Sequence, residues 1–403
     1  MASRSYSKID LPGYEPDNCT FFALGRNAMY AACRVLGLRP GDEVLTPAFD
    51  CDGSLQPFRV LGLEIRFFRS DPYTLSVDIA DLKRRITTKT RLLHIINHFG
   101  MPQPWGDLAA LRREFNIPIL EDNAYSLFSK FDNRLFGTFG DMAIFSLRKN
   151  LPLVDGGMLR VNNPDFSGSE VSSRAIPWFY PTEIRGVLSL VKDKLGYHRA
   201  PERLRRFVRN GHLAKQPPPP LYSETGKAFP DWPLRDRIGA EFACDYLRPM
   251  SRLAHHQLTK FTERDYVEIV DKKRQCYAWL SSEIRHLKGV TVLWPFLPDG
   301  IVPFCFSMLI ESKRDMFLES LRKKYDVMAW PTLPKVVLDQ LRVFPEVELL
   351  GRKLLQLNLQ SHSVRQAGYL QHLKSLILDL SALSNQHLSK YGSSNTVLCS
   401  TAG

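Results

Sequence analysis

Ile117-Pro118-Ile119-Leu120-Glu121-Asp122, followed by Met142-Ala143-Ile144-Phe145-Ser146-Leu147-Arg148-Lys149 and the pair Gly156-Gly157, decides how this chain folds. Each segment opens as a short apolar run and stops at charge. Short apolar runs bounded by turn chemistry are the pattern of buried parallel strands. In open α/β sheets, ligands sit outside the carboxyl ends of such strands. Asp122 and Lys149 are therefore expected as opposite charges that two strands deliver to one rim.

Outward from this stretch, strand and helix alternate. Strands are expected at Glu43 to Pro47, Glu64 to Phe68, Arg91 to Asn97 and Gly157 to Val161. Helices are expected from Leu24 to about Leu36, after Ala48-Phe49-Asp50 to about Leu61, at Ile79 to Ile86 and at Leu108 to Phe115. This alternation predicts an α/β fold with a mostly parallel sheet covered on both faces. Residues 1 to 20 look irregular. The pattern predicts a large domain over 1–163 and a basic, proline-rich excursion over 164–240. The excursion holds the basic stretch 192–215, with Arg199, Arg203, Arg205, Arg206 and Arg209, and the run Pro217 to Pro220. A smaller C-terminal α/β domain is expected over 241–385. It has helical patterns from Glu241 through Leu247 to Leu258, at Tyr266 to Ile284, at Lys313 to Lys324 and at Val364 to Leu380. Its strands are expected at Val290 to Leu293, Phe304 to Ile310 and Val327 to Trp330. A disordered, Ser-rich tail is expected over 386–403.

The bulk properties bound the function. The 403 residues are 44% hydrophobic and 24% charged, as in ordinary globular proteins. Met1 to Lys8 shows no apolar signal core, and no run is long enough to span a bilayer. The seven cysteines (19, 33, 51, 244, 276, 305 and 399) lack CxxC spacing, which fits reduced thiols in a cytoplasm and no metal site. A net charge of +12 implies an anionic partner: a phosphorylated small molecule, a nucleic acid or an acidic membrane face. No helix-turn-helix, zinc or RNP pattern supports the nucleic acid. The basic stretch 192–215 suits a peripheral membrane or anionic contact as well as a solvated surface helix.

Several segments together resemble the DegT/DnrJ/EryC1/StrS family of sugar aminotransferases, within the aspartate aminotransferase-like superfamily. Gly25-Arg26-Asn27-Ala28 stands where that family has its Gly-Thr phosphate turn. Leu38 to Val44 resembles its P-G-D-E-V segment, and Pro47-Ala48-Phe49 its P-x-aromatic segment. Asn97-His98-Phe99-Gly100, Glu121-Asp122-Asn123-Ala124, Gly137 to Asp141 and Phe145 to Gly157 are similar to further family segments in the same order. The resemblance covers about Leu24 to Val161 well, and about 241 to 380 more loosely.

The resemblance implies fold type I of the transferases dependent on pyridoxal 5′-phosphate (PLP), with a seven-stranded large-domain sheet. It implies Lys149 as the Schiff-base lysine, Asp122 as partner of the pyridine nitrogen and Ser146 as a phosphate-binding hydroxyl. Gly25 and Arg26 become the phosphate turn, and Phe49 the aromatic against the ring. The implied reaction moves an amino group from an amino acid, glutamate in most of the family, to a keto sugar, typically nucleotide-linked, in glycan or polysaccharide biosynthesis. The implied assembly is a homodimer. Some relatives are dehydratases with His in place of the lysine; Lys149 points to transamination. The chain departs from the pattern at Arg26, at Tyr125, where Gln or His is usual, and at Tyr246-Leu247-Arg248, where an Asn is missing. These departures motivate an alternative: a catalytically altered member with a binding or regulatory role.

Overall fold

In a computed structural model, the structure describes residues 9, 11–166, 176–180, 246–322, 325–329, 333–359, 371 and 373–382. The basic stretch 192–215, the proline run and the tail expected to be disordered lie outside them. Nine strands and five helices form the first half: β1 (Cys19–Phe22), α1 (Gly25–Val35), β2 (Glu43–Pro47), α2 (Asp52–Val60), β3 (Glu64–Phe68), α3 (Ile79–Arg85), β4 (Thr90–Ile96), α4 (Trp105–Phe115), β5 (Ile119–Asn123), the small hairpin β6 (Lys130–Phe131) and β7 (Arg134–Leu135), β8 (Met142–Phe145), α5 (Leu147–Asn150) and β9 (Gly157–Val161). Seven of the strands make one sheet in the order β1-β9-β8-β5-β4-β2-β3. The five from β8 to β3 are parallel, and β9 runs antiparallel to both of its neighbours, β8 and the edge strand β1. Every residue of β2, β5 and β8 is buried, as expected of strands covered on both faces.

The chemistry of two neighbours shows how the sheet sorts its residues. Side chains alternate across a strand, so Glu121 and Asp122 point to opposite faces. Glu121 Oε1 accepts from the Gly137 N–H (2.7 Å) and from Asn97 Nδ2 (3.1 Å); Oε2 accepts from the N–H groups of Phe139 (2.9 Å) and Gly140 (3.2 Å). This carboxylate ties the 137–140 turn onto the sheet. Burial raises its pKa, against the pull of those donors.

The second half contains α6 (Arg252–Leu258), the long α7 (Glu263–Ile284), β10 (Val290–Val292), β11 (Cys305–Ile310), α8 (Arg314–Leu321), β12 (Val327–Met328), α9 (Lys335–Leu338), α10 (Pro345–Lys353) and β13 (Leu354–Asn358). Its four strands form an antiparallel sheet in the order β10-β11-β13-β12. The helix α7 opens with a reciprocal cap: Thr262 Oγ1 accepts from the Asp265 N–H, and an Asp265 oxygen accepts from the Thr262 N–H. Tyr277 and Leu280 of α7 pack on Phe306 and Met308 of β11 in one core cluster. Residues 373–382 are helical and bury Leu373, Leu376 and Leu380 in the same core.

Four expectations need correction. Residues 1–20 are not wholly irregular, because β1 closes the sheet edge against β9; four residues, three of them half-buried, next to turn residues carry little strand signal. Among the described residues, the helix expected from Glu241 through Leu247 begins only at Arg252 and ends at Leu258. Pro249 holds its neighbourhood extended, with the Ala23 N–H donating to the Arg248 carbonyl (2.9 Å), and Ser251 then caps a fresh helix. The strand β13, unforeseen, lies inside the small sheet; its apolar run continues that of α10 without a change of period. Lys149 does not sit on a strand, because β8 stops at Phe145 and the turn of α5 carries the lysine. Five cysteines (Cys19, Cys33, Cys51, Cys276 and Cys305) are free thiols, and among the described residues no helix is long and apolar enough to cross a membrane.

The Glu121 anchor yields a stability test. Glu121→Ala strands three backbone N–H groups in a buried site, each worth about 1–3 kcal/mol. Urea unfolding is expected to show a loss of about 3 kcal/mol or more.

Candidate active site

A cavity of about 200 Å³ lies at the carboxyl ends of β4, β5 and β8. Its wall includes Gly25, Arg26, Asp50, Cys51, Ser54, Asp122, Tyr125, Ser146, Arg148 and Lys149. Of the residues singled out in the sequence, Lys149, Asp122, Ser146, Gly25 and Arg26 meet there. Phe49 does not: it is 1% exposed and packs in the core beneath, its carbonyl accepting from His98 Nε2 (2.8 Å). Among the described residues, the aromatic side chain on the cavity wall is Tyr125.

Asp122 occupies the last turn of the ladder between β5 and its neighbours, in register with Ile96 and Ile144. Its Oδ1 accepts from the Ala124 N–H (2.8 Å), and its Oδ2 lies 3.2 Å from His94 Nε2. His94 Nδ1 lies 2.8 Å from Thr46 Oγ1. One tautomer satisfies both contacts: Nε2–H donates to Asp122, and Nδ1 accepts from Thr46. The aspartate is thus fixed from behind by a fully buried imidazole, itself held by β2.

Lys149 projects from α5 into the same space. Its Nζ donates to the Tyr125 hydroxyl at 3.0 Å and lies 4.1 Å from that ring's centroid. Burial pushes the ammonium pKa down, against the opposing pull of Cys51, Asp122 and Asp50. Burial also raises the Tyr125 phenol well above its ordinary value, so it stays protonated. A buried amine biased toward its neutral form is a nucleophile for a carbonyl carbon.

The other end of the cavity suits an anion. The helix α1 begins at Gly25, and its N-cap residue, Leu24, supplies no side-chain acceptor to the first-turn N–H groups. Ser146 caps α5 in position only, its hydroxyl making no cap hydrogen bond. Arg26 reaches across to Gln56 Oε1 (3.1 Å). These parts close on one another through glycine. A Cβ on Gly25 would meet that of Ser146 at 3.3 Å, and one on Gly157 would overlap the Leu24 carbonyl.

Sequence reasoning missed Asp50, Cys51, Ser54, His94 and Arg148 as parts of this site. The signal was present for the first three, since Asp50-Cys51-Asp52-Gly53-Ser54 follows the carboxyl end of a buried strand. His94 was hidden inside an apolar run. Asp50 is buried, accepting from the Cys51 N–H (2.6 Å) and from the Ser54 hydroxyl. Burial raises its pKa to about 6, assisted by Asp122 and opposed by His94 and Ser54. Among the described residues no cluster could hold a metal ion.

Comparison with known proteins agrees with this geometry. Residues 15–171 match the model of the DegT/DnrJ/EryC1/StrS aminotransferase family. The chain is 30% identical to GDP-perosamine synthase of Escherichia coli O157:H7 over 34% of its own length and 39% of that protein. It is also 30% identical to dTDP-4-dehydro-2,3,6-trideoxy-D-glucose 4-aminotransferase of Saccharopolyspora spinosa, over 38% and 41%. The aligned region thus spans about two fifths of the curated relatives it matches. Among solved structures, the aminotransferase TlmJ from Streptoalloteichus hindustanus superposes with a TM-score of 0.64 at 18% identity, covering 94% of this chain and 88% of that one. The likeness to these solved structures is one of fold.

The raised Asp50 carboxyl makes stability depend on pH. Its folded pKa of about 6 exceeds the reference 3.8, so the fold binds the proton more tightly. That contribution is full below the unfolded value and is lost as pH rises through about 6. Two units correspond to about 3 kcal/mol. Urea unfolding of the parent and of Asp50→Asn should therefore show their stability difference moving toward the variant by about that amount between pH 3 and pH 7.

Proposed function

We propose that this protein is a PLP-dependent aminotransferase that moves an amino group from an amino acid, glutamate, to a nucleotide-linked keto sugar. The observation that carries the reading is one cavity that gathers a half-buried lysine, an aspartate fixed from behind and an uncapped helix N-terminus. Those parts answer the three features of the cofactor: an aldehyde carbon, a basic ring nitrogen and a phosphate. The glycine contacts that leave room at the helix end fit the same group. When bound, PLP supplies an electron sink next to the carbon whose proton moves.

In this reading Lys149 binds the cofactor covalently. Its Nζ, when free, would carry the proton as general base and then general acid. Asp122 is the partner of the ring nitrogen. Its orientation is set before binding by His94 and the Ala124 N–H, so no reorganisation is needed at the moment of reaction. The first turn of α1, Ser146 and Arg26 receive the phosphate; Arg26 replaces a neutral hydroxyl with charge. The walls of this cavity exclude bulk water and strengthen each of these interactions.

The acceptor class is supported by the relatives, of which two are named for GDP- or dTDP-linked sugar amination. A lysine at position 149 favours amination over dehydration. A homodimer is part of the proposal by family likeness. The reading is tested with 15N-glutamate and a nucleotide-linked 4-keto-6-deoxyhexose. Mass spectrometry should find 15N in an amino sugar nucleotide. Asp122→Asn should fold normally and turn over at least about 100-fold more slowly. Undiminished turnover in Asp122→Asn would remove that residue from its role, and no transfer with any amino donor would favour a binding role.

A further inference from the structure

Tyr125 follows Asp122 by three residues and was not chosen from the sequence as a site residue, yet its hydroxyl is 3.0 Å from Lys149 Nζ. The ring turns its face to the same atom, at 4.1 Å from the centroid. A tyrosine that merely filled space would not need both its polar atom and its ring face on one nitrogen.

The side chain is also clamped. Its ring lies between Phe99 (5.9 Å) and Phe304 (4.8 Å). Phe304 belongs to the segment leading into the small sheet, and its N–H donates to the Phe99 carbonyl at 3.0 Å. Gly100, at φ 94°, permits this approach: a Cβ there would meet the Val302 carbonyl at 2.7 Å and that of Tyr125 at 3.4 Å. From the other side, Asn150 Nδ2 of the lysine's own helix donates to the Ala124 carbonyl (3.1 Å). Tyr125 and Lys149 are thereby fixed to each other through their backbones as well as their side chains.

We propose that Tyr125 is a positioning residue for the Lys149 amine. Its oxygen accepts from the ammonium, its hydroxyl donates to the amine once the proton has left, and its ring face closes one side of Nζ. The amine then keeps one position in both protonation states, as a group that must give and take a proton at one carbon requires. The inference deepens the aminotransferase reading and rests on it for its purpose. The pairing itself belongs to the cofactor-free protein.

The test uses cofactor-free protein, so a failure to bind PLP and a failure of this pairing are separate results. The rate of reductive methylation of Lys149 by formaldehyde and cyanoborohydride is followed by peptide mass spectrometry from pH 6 to pH 10. The rate follows the fraction of free amine. Tyr125→Phe keeps the ring and removes the oxygen that favours the ammonium. Its half-maximal pH should fall by about one unit, a roughly tenfold faster methylation on the acid side. Tyr125→Gln restores an oxygen acceptor and should return the profile toward the parent, which loss of packing would not do. Profiles for Tyr125→Phe and the parent that superimpose, or a Lys149 that is unreactive in the parent throughout, would overturn the proposal. Should Tyr125→Phe fail to fold, a Tyr125→Gln profile displaced to lower pH by a full unit would overturn it as well.

Discussion

Everything at the cavity depends on keeping charge buried at the rim of a parallel sheet. An ammonium and two carboxyl groups, Lys149, Asp122 and Asp50, line one small space largely withdrawn from water. Isolated buried charges cost several kcal/mol each, so such a cluster persists only if every member is partnered. The partners come from three places: β4, the residues that follow β5 and the start of α2. His94 on β4 and the Ala124 N–H serve Asp122, the Cys51 N–H and Ser54 at the start of α2 serve Asp50, and Tyr125 serves Lys149. Groups whose pKa values burial has moved in opposite directions, the acid up and the lysine down, are the arrangement that proton-transfer sites use.

A second constraint is close approach. The end of α1, the start of α5 and the first residue of β9 converge where only glycine at 25 and 157 leaves room. That convergence sets the helix N-terminus beside Ser146 and, one helical turn on, Lys149. The anion end and the amine end of the cavity are therefore products of the same packing. The small sheet contributes through Phe304, which backs Tyr125, so the second half of the chain takes part in the geometry of a site whose charged groups all come from the first.

Much of this was legible in the residues. The parallel strands declared themselves as short apolar runs ending in charge, which placed Asp122 and Lys149 at one rim, while Ser146, Gly25 and Arg26 were read from the family resemblance. The reading faltered where local pattern carries no information. Phe49 is an aromatic in the right segment, but the strand's turn directs it into the core and brings Asp50 and Cys51 to the wall instead. His94 looks like one polar residue within a buried strand, and only its register beside Asp122 reveals its use. β13 was missed because Leu354-Leu355-Gln356-Leu357 is a short run directly behind the helical Val347 to Lys353, with no turn residue to separate strand from helix at Leu354. In each case tertiary pairing, not propensity, decided the outcome.

The central claim is that Lys149 is the amine that takes up the cofactor's aldehyde. It is tested most directly by incubating the purified protein with PLP, reducing with borohydride and mapping the pyridoxyl group by peptide mass spectrometry. The account predicts one modified residue per chain, Lys149, with the label lost in Lys149→Arg while the fold is retained. A label spread over surface lysines, with Lys149 unmodified, would contradict it.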